Sequence, residues 1–150
     1  MNRARNMCFL MTVLLALSGC GPGFDEASGK DGLRGGSAEA AVDTYLDDRV
    51  SASEGDHSDW RVFELEQPSA VTVEIWWDNP DAGGNLLLRG RSSGSSKTFE
   101  HKKGQRSESM GPFDLAEGKW YVRVQSDSGA SGYTIRIVTG TSSGGGLPDF

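Results

Sequence analysis

The amino-acid sequence predicts an all-β fold, an antiparallel, jelly-roll-like β-sandwich of about seven or eight strands. Between residues 42 and 139, apolar residues recur at every second position, which is the period of a strand with one buried face and one wetter face. Clusters of Gly, Ser, Asn, Asp and Pro separate these runs, as turns do in sandwiches of short antiparallel strands. The length of 150 residues fits one such domain.

Individual strands are predicted from the alternation. It is clearest in three runs, at residues 71–78, 120–125 and 133–138. Weaker strands are expected at residues 59–66, 85–89, 96–101 and 105–113. The stretch 39–46 has no clear period, so it fits either one helical turn or an edge strand.

Residues 1–19 have the features of an export signal. Arg3 and Arg5 are the only charged side chains before an apolar run of ten residues, 8–17, which is interrupted only by Thr12. A helix that spans a bilayer needs about 20 apolar residues, so this run is too short to cross a membrane. A basic head, a short apolar centre and small residues at the end are typical of a secretory signal peptide. We therefore expect an exported protein whose signal helix is removed.

The end of this signal is more specific. Residues 17–20, Leu-Ser-Gly-Cys, resemble the lipobox of bacterial lipoprotein precursors, in which a branched apolar residue and two small residues precede a modified cysteine. The resemblance implies that signal peptidase II cleaves between Gly19 and Cys20, and that Cys20 carries a diacylglycerol. Two or three acyl chains such as palmitate hold a protein on a membrane without a transmembrane helix. Gly21 rather than Asp follows the cysteine, which by the sorting rule of enteric bacteria implies the cell outer membrane, with the cell membrane as the other destination. The alternative is an ordinary secretory signal with an incidental cysteine.

Charge and cysteine content exclude several classes of protein. The formal net charge of −6 argues against a general nucleic-acid binder, which needs a basic surface to neutralise phosphates. Loss of residues 1–19 makes the mature charge −8, from 13 basic and 21 acidic side chains. Cys8 leaves with the signal and Cys20 is capped by lipid, so the mature chain offers no disulfide, no cysteine nucleophile and no thiolate zinc site. No cofactor is expected, because the sequence has no glycine-rich loop before a helix.

Composition divides the remaining chain into three parts. Residues 20–41 mix Gly, Ser, Ala and charged residues without an apolar period, which predicts a lipidated, flexible tether. Residues 42–139 are predicted to form the β-sandwich domain. Residues 140–150 return to Gly and Ser and are predicted to be a flexible tail.

Segments near both ends of the domain resemble the bacterial pre-peptidase C-terminal domain family. Residues 59–65, Asp-Trp-Arg-Val-Phe-Glu-Leu, fit the family's Asp-x-x-x-Phe-x-Leu pattern. Residues 118–124, Gly-Lys-Trp-Tyr-Val-Arg-Val, are followed by Tyr-Thr-Ile at 133–135, as in the family. The resemblance covers about residues 48–139 and implies a non-catalytic β-sandwich of the kind appended to secreted peptidases. Asn-Leu-Leu-Leu at 85–88 replaces the family's Asp-rich strand, so its calcium site is not carried over.

Trp76 and Tyr121 are the candidate binding residues. Neighbours on a strand point to opposite faces, so the register of Ile75 and the valines before it places Trp77 in the core and Trp76 outside. An exposed tryptophan stacks on a sugar ring or anchors a protein partner. The alternative is that another segment covers Trp76 and extends the core. Tyr121 is a similar outer-face residue, and it joins Trp76 if their strands lie in one sheet.

Three polar runs are interpreted as turns rather than sites. Residues 78–81, Asp-Asn-Pro-Asp, offer oxygen ligands but do not match the spacing of a calcium loop. Residues 54–59 contain Asp, His and Ser, but a catalytic triad is assembled in space around a strained nucleophile and an oxyanion hole. Residues 101–103, His-Lys-Lys, form with Arg106 a basic patch, either a solvated turn or a contact for anionic lipid or polysaccharide. We predict no catalytic residue and no metal ligand.

Together these observations favour a lipid-anchored protein of the bacterial cell envelope that is not an enzyme. Its β-sandwich is expected to act in protein binding, adhesion or envelope structure, while the lipid on Cys20 contacts the membrane. The alternative is a glycan-binding module that uses Trp76 and Tyr121. A minor alternative is a hydrolase whose site has no recognisable motif.

Overall fold

Two β-sheets pack face to face in the computed structural model, which describes residues 29–91 and 96–140. The strands are β1 (Ala38–Glu39), β2 (Tyr45–Ser51), β3 (Ser58–Leu65), β4 (Ser69–Trp77), β5 (Gly83–Gly90), β6 (Ser96–Glu100), β7 (Ser107–Leu115), β8 (Gly118–Ser128) and β9 (Ala130–Thr139). Short 3-10 turns lie at Arg34–Gly36 and Ala52–Glu54. The five-stranded sheet has the order β1-β3-β8-β5-β6, and the four-stranded sheet has the order β2-β9-β4-β7. The described pairings are antiparallel except that of β1 with β3.

The predicted all-β antiparallel sandwich is confirmed. The three clearest runs form β4, β8 and β9, and the four weaker ones form β3, β5, β6 and β7. The undecided stretch 39–46 contributes to two edge strands, since β1 flanks β3 and β2 flanks β9. The described residues form nine strands rather than the expected seven or eight, because apolar residues do not alternate with polar ones along these two edge strands. β1 has only two residues, and β2 carries Asp47, Asp48 and Arg49 in succession.

Alternation along the central strands fills the space between the two sheets. The inward side chains of β4 are Val71, Val73, Ile75 and Trp77, and at most 2% of each is exposed. They pack in one cluster with buried side chains of β3, β5, β8 and β9, among them Phe63, Leu86, Leu88, Val122, Val124, Ile135 and Ile137. Full burial of such a side chain stabilises a fold by about 1.5–3 kcal/mol. The core therefore holds the sheets together and decides which face of each strand is outside.

The N-terminal boundary of the domain differs from the prediction. Residues 29–41, assigned to the tether, lie along the edge of β3. Trp60 N donates to Asp31 O at 2.8 Å, and Ala40 N donates to Val62 O at 2.9 Å. Ala40 is buried in the core. Composition missed this because a Gly-rich segment can be held by backbone hydrogen bonds alone, which leave no apolar period.

Several predictions concern residues outside the described ranges. The signal peptide of residues 1–19, the lipid attachment at Cys20 and the first part of the tether lie there, as does the tail from residue 141 onward. Gly140, where the tail was expected to begin, donates its N–H to Ala70 O at 2.9 Å. None of the helices in the described part of the chain is long and apolar enough to cross a membrane.

The acidic run at 78–81 forms a turn, as interpreted. Asn79 organises it, because its side-chain oxygen accepts the N–H of Asp81 at 3.2 Å and its backbone oxygen accepts that of Ala82 at 3.2 Å. Asn79 Nδ2 also donates to Ala130 O at 3.0 Å, which ties the turn to the start of β9.

The basic patch at 101–103 needs a correction, because His101 is not on the surface. Only 1% of its side chain is exposed, and its ring lies between the carboxylate of Glu108 and the carbonyl of Pro80. Trp77 packs on the same ring, with 4.9 Å between ring centroids, and Trp77 Nε1 donates to Glu108 Oε2 at 3.3 Å. His101 is thus part of the buried support of Trp77 and adds nothing to a basic surface.

Candidate functional site

Trp76 lies on the outer face of the four-stranded sheet, as the alternation predicts. It is partly exposed, whereas Trp77 beside it is 2% exposed in the core. Its neighbours across the sheet are Thr134 on β9 and Ser107 on β7. Trp76 therefore presents its ring among small polar side chains, and no strand of residues 29–91 or 96–140 covers it.

A second aromatic side chain, Tyr45 of β2, lies beside Trp76. The two ring centroids are 5.7 Å apart and the planes are tilted by 57°. Tyr45 is 48% exposed, and the guanidinium of Arg136 lies 5.1 Å from its ring centroid. Arg136 Nη1 also lies 3.9 Å from Glu74 Oε2. The sequence did not indicate Tyr45, because it stands in the stretch without a period.

Trp76 forms one wall of an open groove of about 610 Å³ at the end of the sheet. We call this the aromatic groove; besides Trp76 its outer rim is formed by Asp47, Asp78, Arg106 and Thr134. Thr134 Oγ1 donates to Asp47 Oδ1 at 2.6 Å, and Arg106 Nη1 donates to the backbone oxygen of Asp78 at 3.0 Å. These bonds hold both rims of the groove in place.

A glycine leaves room for one of the carboxylates. Asp78 lies beside Gly132 of β9, and its N–H donates to Gly132 O at 3.0 Å. Any Cβ at position 132 would collide with the Asp78 carboxylate. The absence of a side chain here lets Asp78 lie at the end of the groove, which is a positional use of glycine inside a strand.

The groove presents aromatic, acidic and basic side chains together. It combines an indole face, the three carboxylates of Asp47, Asp48 and Asp78, which accept hydrogen bonds, and the Arg106 guanidinium, which donates them. Concave sites with an aromatic wall and a few fixed polar groups are typical of ligand binding.

Tyr121 does not join Trp76. Tyr121 is on β8 of the five-stranded sheet, whereas Trp76 is on β4 of the four-stranded sheet. Their side chains lie on opposite outer faces of the sandwich, so the two predicted residues do not form one surface. The guanidinium of Arg34 lies 5.3 Å from the Tyr121 ring centroid.

The inner wall of the groove is held by a buried arginine. Arg61 of β3 is 2% exposed, and its guanidinium contacts the carboxylates of Asp31 (2.6 Å) and Asp48 and lies 3.8 Å from that of Asp59. Tyr133 closes the cluster, because its hydroxyl donates to Asp59 Oδ2 at 2.7 Å and accepts from Arg61 Nη2 at 3.3 Å. We call these five residues the Arg61 cluster. Since Asp48 and Tyr133 also line the groove, the cluster fixes its inner wall.

Burial shifts the protonation of this cluster. It raises the pKa of the Asp59 carboxyl to about 7, although the hydrogen bond from Tyr133 acts in the opposite direction. Burial and the neighbouring Asp59 also raise the pKa of Tyr133 well above its usual range. For Arg61, burial alone lowers the pKa, but Tyr133 and the three carboxylates outweigh it, so the guanidinium stays charged. Asp59 is therefore the carboxyl that takes up a proton near neutral pH.

Three carboxylates of the Arg61 cluster lie as close together as the ligands of a cation do. Asp31, Asp48 and Asp59 each offer an oxygen, and these oxygens lie within 4.8 Å of one another. The Arg61 guanidinium contacts the same carboxylates and already supplies the positive charge that a cation would bring. The donor set therefore fits an internal ion-pair cluster and does not fit a calcium or magnesium site.

Comparison with known proteins gives a result at the level of the fold. The chain matches no protein-family model. No curated protein sequence matches it either. Two solved structures of PliG, a periplasmic lysozyme inhibitor of g-type lysozyme, are distantly similar. That from Salmonella Typhimurium has a TM-score of 0.39 and 15% identity over 67% of this chain and 98% of that chain. The structure from Aeromonas hydrophila has a TM-score of 0.38 and 12% identity, and the match covers 67% of this chain and 96% of that chain.

A stronger similarity is to the pre-peptidase C-terminal domain of collagenase from Bacillus anthracis. The TM-score is 0.54 at 15% sequence identity, and the match covers 67% of this chain and 93% of that chain. This supports the resemblance seen in the strand motifs. At this level of identity, what the chain shares with that domain is its β-sandwich fold.

Proposed function

We propose that this chain is an exported, lipid-anchored protein of the bacterial cell envelope, whose β-sandwich is a non-catalytic domain that binds a partner through the aromatic groove. The observation that carries the proposal is the position of Trp76. Its partly exposed ring, with Tyr45 beside it, borders an open groove between fixed carboxylates.

Aromatic side chains on this face are not needed to join the sheets. The core between them is filled by inward residues such as Ile75 and Trp77, whereas Trp76 and Tyr45 lie on the other side of the sheet. Tryptophan, tyrosine and arginine are the side chains that contribute most to binding energy at protein interfaces. Trp76, Tyr45 and Arg136 lie together here, which supports a binding role for this face.

The anchor is tested by replacing the lipobox cysteine. Cys20→Ser is expected to move the protein out of the membrane fraction and to abolish labelling by a palmitate analogue, because the acceptor thiol is lost. Cys8→Ser is the matched control, since Cys8 lies within the predicted signal peptide, and it is expected to change neither result. Unchanged labelling of Cys20→Ser would refute the lipid anchor.

The binding surface is tested with two aromatic variants. Trp76→Ala is expected to fold and to weaken partner binding at least tenfold, as loss of a central interface residue commonly does. Tyr121→Ala, on the other sheet, is the control and is expected to bind like the wild type. Partners are recovered from solubilised membranes with the mature chain, and the recovered protein is then titrated against each variant. Equal binding by Trp76→Ala and the wild type, or unfolding of Trp76→Ala, would contradict the proposal.

A glycan is the second candidate ligand. The observation that favours it is the placement of Asp47 and Asp78 beside the Trp76 ring, because a flat aromatic face with hydrogen-bond acceptors at its rim suits a sugar ring and its hydroxyls. Titration of the mature chain with oligosaccharides is expected to change tryptophan fluorescence in the wild type and less so in Trp76→Ala. No change with any sugar would reject the glycan and leave a protein partner.

A further inference from the structure

The outer face of the five-stranded sheet carries a group of arginines. Arg89 of β5 is the register partner of Tyr121 on β8, Arg123 lies two residues further along β8, and Arg34 reaches over the Tyr121 ring from the N-terminal segment. Within the described residues, neither Arg34 nor Arg89 forms an ion pair. We call Arg34, Arg89, Tyr121 and Arg123 the arginine face.

Acidic side chains of this sheet lie towards its two ends. At one end Glu64 is 4.0 Å from Lys119, and the exposed Glu39 of β1 lies beside Val62 near the same end. At the other end Asp127 accepts hydrogen bonds from Asn85 Nδ2 at 3.3 Å and Gln125 Nε2 at 2.7 Å, and the exposed Glu100 of β6 is the register partner of Asn85. The centre of the face is therefore positive, although the chain as a whole has a formal charge of −6. A lipid headgroup placed over Tyr121 therefore lies closest to the guanidinium groups of Arg34 and Arg89.

The N-terminal segment connects this face to the proposed anchor. Leu33, next to Arg34, is 74% exposed, the highest exposure among the large hydrophobic side chains of the described residues. The segment is fastened to the sheet by Asp31, through its backbone bond to Trp60 N and its ion pair with Arg61. Asp31 follows Cys20 by eleven positions, and even a fully extended chain spans at most about 40 Å over that distance. The arginine face and Leu33 therefore adjoin the point at which the chain leaves towards its lipid.

We infer that the arginine face lies against the negatively charged lipid headgroups of the membrane that holds the anchor, with Leu33 inserted at the interface. The inference rests on the proposed lipid anchor at Cys20. Basic side chains are attracted to anionic headgroups, and apolar side chains beside them enter the boundary of the acyl chains. Trp76 is on the outer face of the other sheet, so this orientation presents its side of the aromatic groove away from the membrane, towards a partner.

The orientation is tested with a fluorophore on one introduced cysteine of the acylated protein. Leu33→Cys reports on the arginine face, and Arg49→Cys, exposed on β2 of the four-stranded sheet, is the matched control. Acylation blocks Cys20, so the introduced thiol takes the label. Each protein is reconstituted into vesicles of phosphatidylcholine with about one third phosphatidylglycerol and a quencher attached to the lipid headgroups. Flotation of the vesicles shows whether the protein is anchored.

In these vesicles the Leu33→Cys probe is expected to be quenched much more than the Arg49→Cys probe. Arg34→Gln and Arg89→Gln are each expected to lower the proportion of molecules in this orientation roughly fivefold, as is usual for one basic side chain at an anionic surface. The preference is expected to vanish in phosphatidylcholine alone. Equal quenching of both probes, or a preference that survives the arginine variants, overturns the orientation alone. Failure to float with the vesicles removes the anchor and so overturns both proposals.

Discussion

Arg61→Ala is expected to lower the free energy of unfolding by about 3–5 kcal/mol, the cost of breaking a buried ion pair by removing one partner. The guanidinium is 2% exposed and neutralises three carboxylates that come from separate parts of the chain. Without it, the buried Asp59 carboxyl has no opposite charge beside it and must take up a proton, and Asp31 loses the contact that fastens the N-terminal segment. Urea unfolding at neutral pH measures the loss.

Arg49→Ala is the matched control, because Arg49 and Glu54 form an exposed ion pair at 2.7 Å on the four-stranded sheet. Its unfolding midpoint is expected to equal that of the wild type, since exposed ion pairs contribute little. Arg61→Ala is also expected to speed trypsin cleavage after Arg34, because the segment that Asp31 holds is released. If both variants unfold at the same urea concentration, the Arg61 cluster does not support the fold.

The contribution of the Asp59 carboxyl to the stability of the wild type is expected to fall by about 4 kcal/mol as the pH rises from about 4 to about 8. Burial raises its pKa in the folded protein to about 7, above the ordinary value of 3.8. The folded state therefore holds this proton more tightly than the unfolded state. Its contribution is fully present below pH 4 and is lost as the pH rises through 7, at about 1.4 kcal/mol per unit of pKa difference.

Two variants test this assignment in urea unfolding at several pH values. Asp59→Asn has no carboxyl to ionise, so its stability relative to the wild type is expected to rise by about 4 kcal/mol between pH 4 and pH 8. In the wild type the Tyr133 hydroxyl donates to Asp59 and so lowers the pKa of the Asp59 carboxyl. Tyr133→Phe removes this hydrogen bond, so the loss of stability is expected to move to higher pH. Parallel pH profiles for Asp59→Asn and the wild type would show that Asp59 does not titrate in this range.

Alternation along single strands was enough to predict the sandwich and the outward position of Trp76. The valines before Ile75 define the inner face of β4, and that face is the core. The same reasoning applied to β3 would have indicated Arg61, because Arg61 lies on the same face of the strand as the buried Phe63 and Leu65. An inward arginine between apolar residues is a signal that a charged partner is buried with it.

The features that the sequence did not predict depend on contacts between distant parts of the chain. Whether Tyr121 joins Trp76 is decided by strand order, and a period of two carries no information about strand order. Asp31 and Tyr133 meet Arg61 from 30 and 72 positions away, so no local pattern predicts the Arg61 cluster. The sequence did not indicate Tyr45 because β2 is an edge strand that pairs only with β9. Its apolar and polar residues therefore do not alternate strictly along the strand.

The most direct test of a binding role for the aromatic groove is photocrosslinking in living cells. A photoreactive phenylalanine is placed at Ser107, the neighbour of Trp76 on β7, or at Thr98, on the outer face of the five-stranded sheet. A covalent adduct of higher mass is expected from position 107 and is expected to disappear when Trp76→Ala is added. Adducts from position 98 with none from position 107, or an adduct at 107 that survives Trp76→Ala, would contradict the account.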